Sequence, residues 1–171
     1  MAQDIGESLV GSYLRYIEGC ELVVYNTHTP GVQGEIDVIA LKQGRPRVVW
    51  LCEVITHVRG VLYSGGYTGT VTKIRDKVER ARDFAAATFP DEQHRYEIWS
   101  PVVPSGQVTL FEELEREFDS AELDLRFVVN DVYAERVQQL IEHARRSASA
   151  TSEPAYRLLQ ILTRVRGELR V

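Results

Sequence analysis

The sequence predicts an α/β fold, a mixed sheet with helices on both faces, from three features. Short Val/Ile-rich runs alternate with longer stretches of helical periodicity, in the order helix, three strands, helix, strand, helix, strand, helices. The early strands are joined by turns and are therefore antiparallel, while the later ones are joined by helices and are therefore parallel. Residues 47–55 are apolar at successive positions, the mark of a central strand buried on both faces.

The elements follow in order. Leu9, Val10, Tyr13, Leu14 and Ile17 predict a helix over residues 5–17, with Asp4 as N-cap and Gly19 as stop. A first strand is read over 20–25. Pro30, Gly31 and Gly34 mark a loop over 26–34. A second strand over 35–41 turns through 42–46 into the third over 47–55. The stretch 57–69 holds Gly60, Gly65, Gly66 and Gly69 and reads as a surface loop. Val71, Ile74, Val78, Ala81 and Ala85 lie on one face of a helix over 70–89, which Pro90 closes. Then come a strand over 95–103, a turn at Pro104-Ser105-Gly106, an acidic helix over 108–118 and a strand over 125–129. A helix over 131–145, capped by Asn130 or Asp131, precedes a Ser/Ala/Thr linker. Pro154 opens a last helix reaching about residue 165. Residues 1–146 are thus expected to form one α/β domain, with 147–171 a linker and helix packed on the same domain.

A chain of 171 residues, 44% of them hydrophobic, suits one domain with a real core. Cys20 and Cys52 have no metal-ligand spacing and read as buried, reduced thiols. The N-terminus shows no secretory pattern, and no apolar run approaches the roughly 20 residues that span a bilayer. A cytoplasmic protein without membrane contact is expected. The net charge of −5 argues against a polyanionic partner, but its distribution argues for one. Residues 42–82 hold nine bases and three acids, a surplus of +6 that leaves −11 for the rest. A basic face for nucleic acid is one reading and charges scattered over solvated helices the other. Residues 91–125 hold ten acids and two bases, a surface suited to a protein partner.

Chemistry concentrates in the hairpin. With Arg45 at the centre of the turn, residues whose numbers total about 90 face each other, so Asp37 opposes Glu53 with Cβ atoms roughly 5 Å apart. Glu53 lies among Val49, Trp50, Leu51, Cys52, Val54 and Ile55. Glu35 shares the face of Asp37 because strand side chains alternate. Buried carboxylates need compensation. A divalent cation, Mg²⁺ or Mn²⁺, supplies it economically, since such ions favour carboxylate oxygen and water. The competing expectation is neutralisation by Arg or Lys side chains in a buried ion network, with Arg45, Arg47 and Arg75 among the candidates.

Gly34-Glu35-Ile36-Asp37, a short turn, and Leu51-Cys52-Glu53-Val54 resemble the core of the PD-(D/E)XK nuclease superfamily. The closest likeness is to small bacterial endonuclease-like proteins and archaeal Holliday-junction resolvases, over roughly residues 5–90. The resemblance implies a three-layer α/β/α restriction-endonuclease-like core with extra C-terminal helices. It implies a metal held by Asp37 and Glu53, helped by the Val54 carbonyl and by Glu7, which matches the helix glutamate of those families. The superfamily's lysine would fall at Ile55, where no lysine stands. Some members supply it from the following helix, which here offers Lys73 and Lys77. Lys73, nearer the helix start, is the expected catalytic lysine. Arg59, Lys73, Lys77 and Arg80 are the expected nucleic-acid contacts, DNA being the expected substrate. Resolvase-like relatives are dimers, which puts a homodimer among the expected partners. The expected activity is metal-dependent hydrolysis of a nucleic-acid backbone. Against it stand a nuclease-like module that has lost catalysis and binds DNA or protein, which Ile55 favours, and a metal-free interaction protein with salt-bridged acids.

Overall fold

Asp4 starts the first helix, α1 (Ile5–Tyr13), by accepting the Gly6 N–H at 2.8 Å, and Glu7 reaches back to the Asp4 N–H at 3.1 Å. This capping box satisfies donors that a helix start leaves bare. The computed structural model describes residues 4–29, 34–57, 60–63, 65–119 and 123–165. Beyond α1 the chain makes one π-helical turn (Leu14–Glu18) and stops at Gly19, whose φ of +77° suits glycine.

The strands β1 (Leu22–His28), β2 (Glu35–Lys42), β3 (Val48–Val54), β4 (Gln93–Ser100) and β5 (Asp124–Val129) lie side by side in sequence order. β1, β2 and β3 pair antiparallel, and β3, β4 and β5 pair parallel. The β2–β3 ladder runs from Lys42↔Val48 to Val38↔Cys52, the register that a turn centred on Arg45 predicts. Four more helices complete the fold: α2 (Gly66–Thr88), α3 (Ser105–Asp119), α4 (Asn130–Arg146) and α5 (Pro154–Leu162).

The result is a three-layer α/β/α arrangement around a mixed sheet. On one face Ile74, Val78 and Ala85 of α2 and Phe111 and Leu114 of α3 pack on Ile39, Val49, Leu51, Ile98 and Leu125. On the other, Val10 and Leu14 pack on Val38, Ala40, Trp50, Cys52 and Trp99, with Tyr133 of α4 against them. α5 buries Tyr156 against Leu140 and Ala144 of α4, with Leu9 and Tyr16 beside them, so it is held on the same body. Both cysteines are buried free thiols, and burial pushes Cys20 up to about 12. No helix among the described residues is long and apolar enough to cross a membrane.

Several boundaries differ from expectation. β1 extends to His28 because its pairing with β2 resumes after Asn26, at Thr27↔Ile36 and His28↔Glu35. α2 begins at Gly66, four residues early: Gly65, at φ +98°, turns the chain into the helix, and glycine is a competent N-cap. Val61, placed by expectation in a surface loop, is buried and donates its N–H to the Val102 carbonyl. β4 ends at Ser100, and α3 starts at Ser105 with the Gln107 and Val108 N–H groups on the Pro104 carbonyl. Asn130 does not cap α4. Its side chain bonds both the N–H and the carbonyl of Val103, at 2.8 and 2.9 Å, while its φ of +49° turns the chain from β5 into the helix.

Candidate active site

Asp37 sits where two ladders are interrupted together. The β2–β3 pairing stops at Val38↔Cys52, and the β1–β2 pairing skips Asn26, at φ +51°, between Tyr25↔Val38 and Thr27↔Ile36. The freed carboxylate takes over as acceptor, receiving the Val54 N–H on Oδ2 at 2.7 Å. Glu53 follows Cys52, the last β3 residue paired with β2, stays paired with Ile98 of β4, and is 9% exposed. The Asp37 and Glu53 carboxyls are close enough to act on each other electrostatically. Burial, and then the Glu53 carboxylate, raise the Asp37 pKa to about 7, against the pull of the Val54 N–H and Lys77. Burial also raises Glu53, with Lys77 opposing.

The compensating cation is Lys77, whose ammonium donates to Glu53 Oε1. Burial works against its charge, but the Glu53 carboxylate outweighs that and holds the pKa above the usual lysine value. Lys73, the expected lysine, is exposed, with its ammonium 4.8 Å from the centre of the Tyr63 ring. Helix geometry explains the exchange. At about 100° per residue, the buried stripe of α2 (Thr70, Ile74, Val78, Ala81, Ala85) centres on Ile74, with Lys77 about 60° from that centre and Lys73 about 100°. Only the nearer stem can run along the apolar flank and deliver its charge to the sheet. Ile55, at the superfamily's lysine position, is 3% exposed in the core and donates its N–H to the Trp99 carbonyl.

The remaining expected residues fall into place around this pair. Glu35 lines a cavity of about 20 Å³ together with Glu53 and Lys77, and its buried Oε2 has no hydrogen-bond partner. Glu7 lies close enough to act on Asp37 electrostatically, but its Oε2 is engaged by the Asp4 N–H and, at 3.0 Å, by Asn26 Nδ2. Gly6 permits that approach: a Cβ there would meet Thr56 Cγ2 at 2.3 Å. Arg80 is half-buried against Gly34, where a Cβ would lie 2.6 Å from the guanidinium, and it acts on Glu53 as a second positive charge. His57 is exposed, and Arg59 lies outside the described residues. The arginines expected to neutralise the acids are elsewhere: Arg47 pairs with Glu92, Arg75 with Glu117, and Arg45 is exposed. The expected basic face is correspondingly thinner, since Arg47, Arg75, Lys77 and Arg82 all have carboxylate partners.

Sequence reasoning missed Tyr63. Its side chain is close enough to Lys77 for the two to act on each other electrostatically, and its N–H donates to Thr70 Oγ1 at 3.0 Å, which ties the loop to the start of α2. No pattern in the loop marks it. Also missed was Glu97 on the opposite sheet face, buried and paired with Arg136 at 2.9 Å.

Among the described residues no three His, Cys, Asp or Glu side chains converge closely enough to form a complete protein cage for a metal. The donors suit the chemistry of Mg²⁺ or Mn²⁺ nonetheless: a half-buried and a buried carboxylate side by side, and an orphaned third carboxylate oxygen on the neighbouring cavity. Such ions are commonly bound by one or two carboxylates and complete their shell with water and substrate phosphate. Compared with protein-family models, curated proteins and solved structures, the chain matches none of them.

Proposed function

We propose that this chain is a metal-dependent phosphodiesterase of the PD-(D/E)XK kind that hydrolyses a nucleic-acid backbone, DNA being the favoured substrate. The observation that supports it is the Asp37–Glu53 pair, half-buried and buried, with the Lys77 ammonium on Glu53. Three like-purposed polar groups at the end of a ladder cost stability, and a fold retains such a cluster most readily for chemistry. Asp37 and Glu53 would hold Mg²⁺ or Mn²⁺, with Glu7 close behind. The ion, when bound, makes water a better nucleophile and stabilises charge on the phosphate. Lys77 takes the role first expected of Lys73: it orients the attacking water and donates to the phosphate oxygens as charge develops. Lys73 holds a backbone phosphate farther out, and Arg59 is the other expected phosphate contact; such contacts set salt dependence rather than sequence choice.

The test is cleavage of supercoiled, linear, single-stranded and branched DNA in Mn²⁺. Asp37→Asn, Glu53→Gln and Lys77→Met are each expected to lower the rate by about 100-fold or more, whereas Lys73→Ala costs only a few-fold. Loss in Lys73→Ala with full activity in Lys77→Met would return the role to Lys73. A second reading is a nuclease-fold module without catalysis that binds DNA or a protein. Ile55 in the core and the acidic 91–125 stretch favour it. Its signature is salt-sensitive DNA binding, or a protein partner, with no cleavage of any substrate by the wild type.

A further inference from the structure

Lys77 stands where a bound cation would otherwise stand. Its ammonium touches Glu53 and also acts on Asp37, and the pair is largely withdrawn from solvent, the side chains being 29% and 10% exposed. The Tyr63 side chain is also close enough to Lys77 to act on it electrostatically, and its ring lies beside Lys73, one helical turn from Lys77. The Tyr63 backbone is anchored. Thr70 Oγ1 accepts its N–H and in turn donates to the Gly66 carbonyl at 2.8 Å. The ammonium therefore has one acceptor in contact, the Glu53 carboxylate, and a phenol nearby. An ammonium and a divalent ion repel strongly at hydrogen-bonding distance in a site this poorly solvated, so both cannot sit on Glu53 in the same place. The four-carbon lysine stem has the freedom to swing between acceptors.

We infer that Lys77 is the built-in counter-ion of the Asp37–Glu53 pair in the metal-free protein, and that Tyr63 is the positioning residue that receives its ammonium when a divalent cation takes the carboxylates. The inference rests on the metal-dependent reading above. It deepens that reading by giving the chain an internal competitor for its metal. Removing the lysine then tightens metal binding while cleavage is lost. Removing the phenol oxygen weakens metal binding, because Lys77 loses its second acceptor and stays on Glu53.

The experiment is Mn²⁺ binding to the full chain, followed by electron paramagnetic resonance of the free ion at constant pH and ionic strength. Lys77→Met is expected to bind Mn²⁺ roughly tenfold more tightly than wild type. Tyr63→Phe is expected to bind it several-fold more weakly, with an unchanged melting temperature in EDTA. Glu53→Gln is expected to lose most of the binding. Lys77→Met binding no more tightly than wild type, or Tyr63→Phe binding equally well, overturns the inference while leaving the metal site standing. Absence of Mn²⁺ binding in every protein, or binding that survives Glu53→Gln, overturns the metal-dependent reading and this inference with it. Should Lys77→Met fail to fold, Tyr63→Phe, which removes one oxygen, decides alone.

Discussion

Asp37 is held at a cost that can be read as a pH dependence. Its ordinary pKa of 3.8 is raised to about 7, mainly by burial and then by Glu53. Between those values the folded chain holds a proton that the unfolded chain has released. Stability is therefore greatest in acid and falls as pH rises through about 7. Asp37→Asn keeps an acceptor for the Val54 N–H and removes the ionisation. In EDTA the variant is expected to melt about as wild type does at pH 5 and several degrees higher at pH 8, since about 1 kcal/mol moves the midpoint of a domain this size by roughly 3 °C. Parallel melting curves across that range would show that Asp37 ionises without penalty. The same arithmetic accounts for Lys77: one ammonium offsets one carboxylate and leaves the second to be protonated or met by another cation.

At the scale of an element, α1 shows how local propensity yields to packing. Gly11 lies inside the helix, where alanine is ordinarily favoured by about 1 kcal/mol. A Cβ there would fall 2.0 Å from the Tyr25 hydroxyl, and that hydroxyl is committed to Glu153 Oε2 at 2.6 Å. Glu153 in turn precedes α5 and lies near Ser8 and Arg15. Gly11→Ala is therefore expected to destabilise, by about 1–3 kcal/mol in urea titrations, because the displaced tyrosine breaks the tie between β1 and α5. A stabilised variant would mean that Tyr25 relocates freely. α2 carries the corresponding lesson for the site. A register shift of one residue along this helix would change which lysine faces the sheet, so the buried stripe selects the charged group that serves Glu53.

For the whole molecule, the charge asymmetry along the chain is partly cancelled in three dimensions. Bases of the 42–82 segment pair with acids from other elements, Arg75 with Glu117 of α3 and Arg47 with Glu92 before β4. Nucleic-acid binding is accordingly expected to show a shallow salt dependence, with a slope of log K against log salt of roughly −2 to −3, as for about three phosphates. A slope steeper than about −6 in filter binding or fluorescence anisotropy would require a much larger basic surface than these pairings leave.

The alternation of apolar runs, the hairpin and the crossovers determined the layers, the strand directions and the β2–β3 register, because these follow from periodicity and short loop lengths. The proximity of Asp37 and Glu53 was legible for the same reason: the turn fixes the register up to Val38↔Cys52, and the two acids are the next residues along each strand. Tertiary structure alone decided what the acids face. Glu7 is shared between a cap and Asn26, the cation is Lys77 rather than Lys73, Tyr63 enters from a loop without pattern, and Asn130 clamps Val103 instead of capping a helix. Most of these outcomes depend on the approach of segments distant in sequence, and the angular position of a side chain on its helix matters only once the helix has docked. Periodicity names the buried face of an element, but the partner that face meets, and the charge delivered there, are properties of the packed fold.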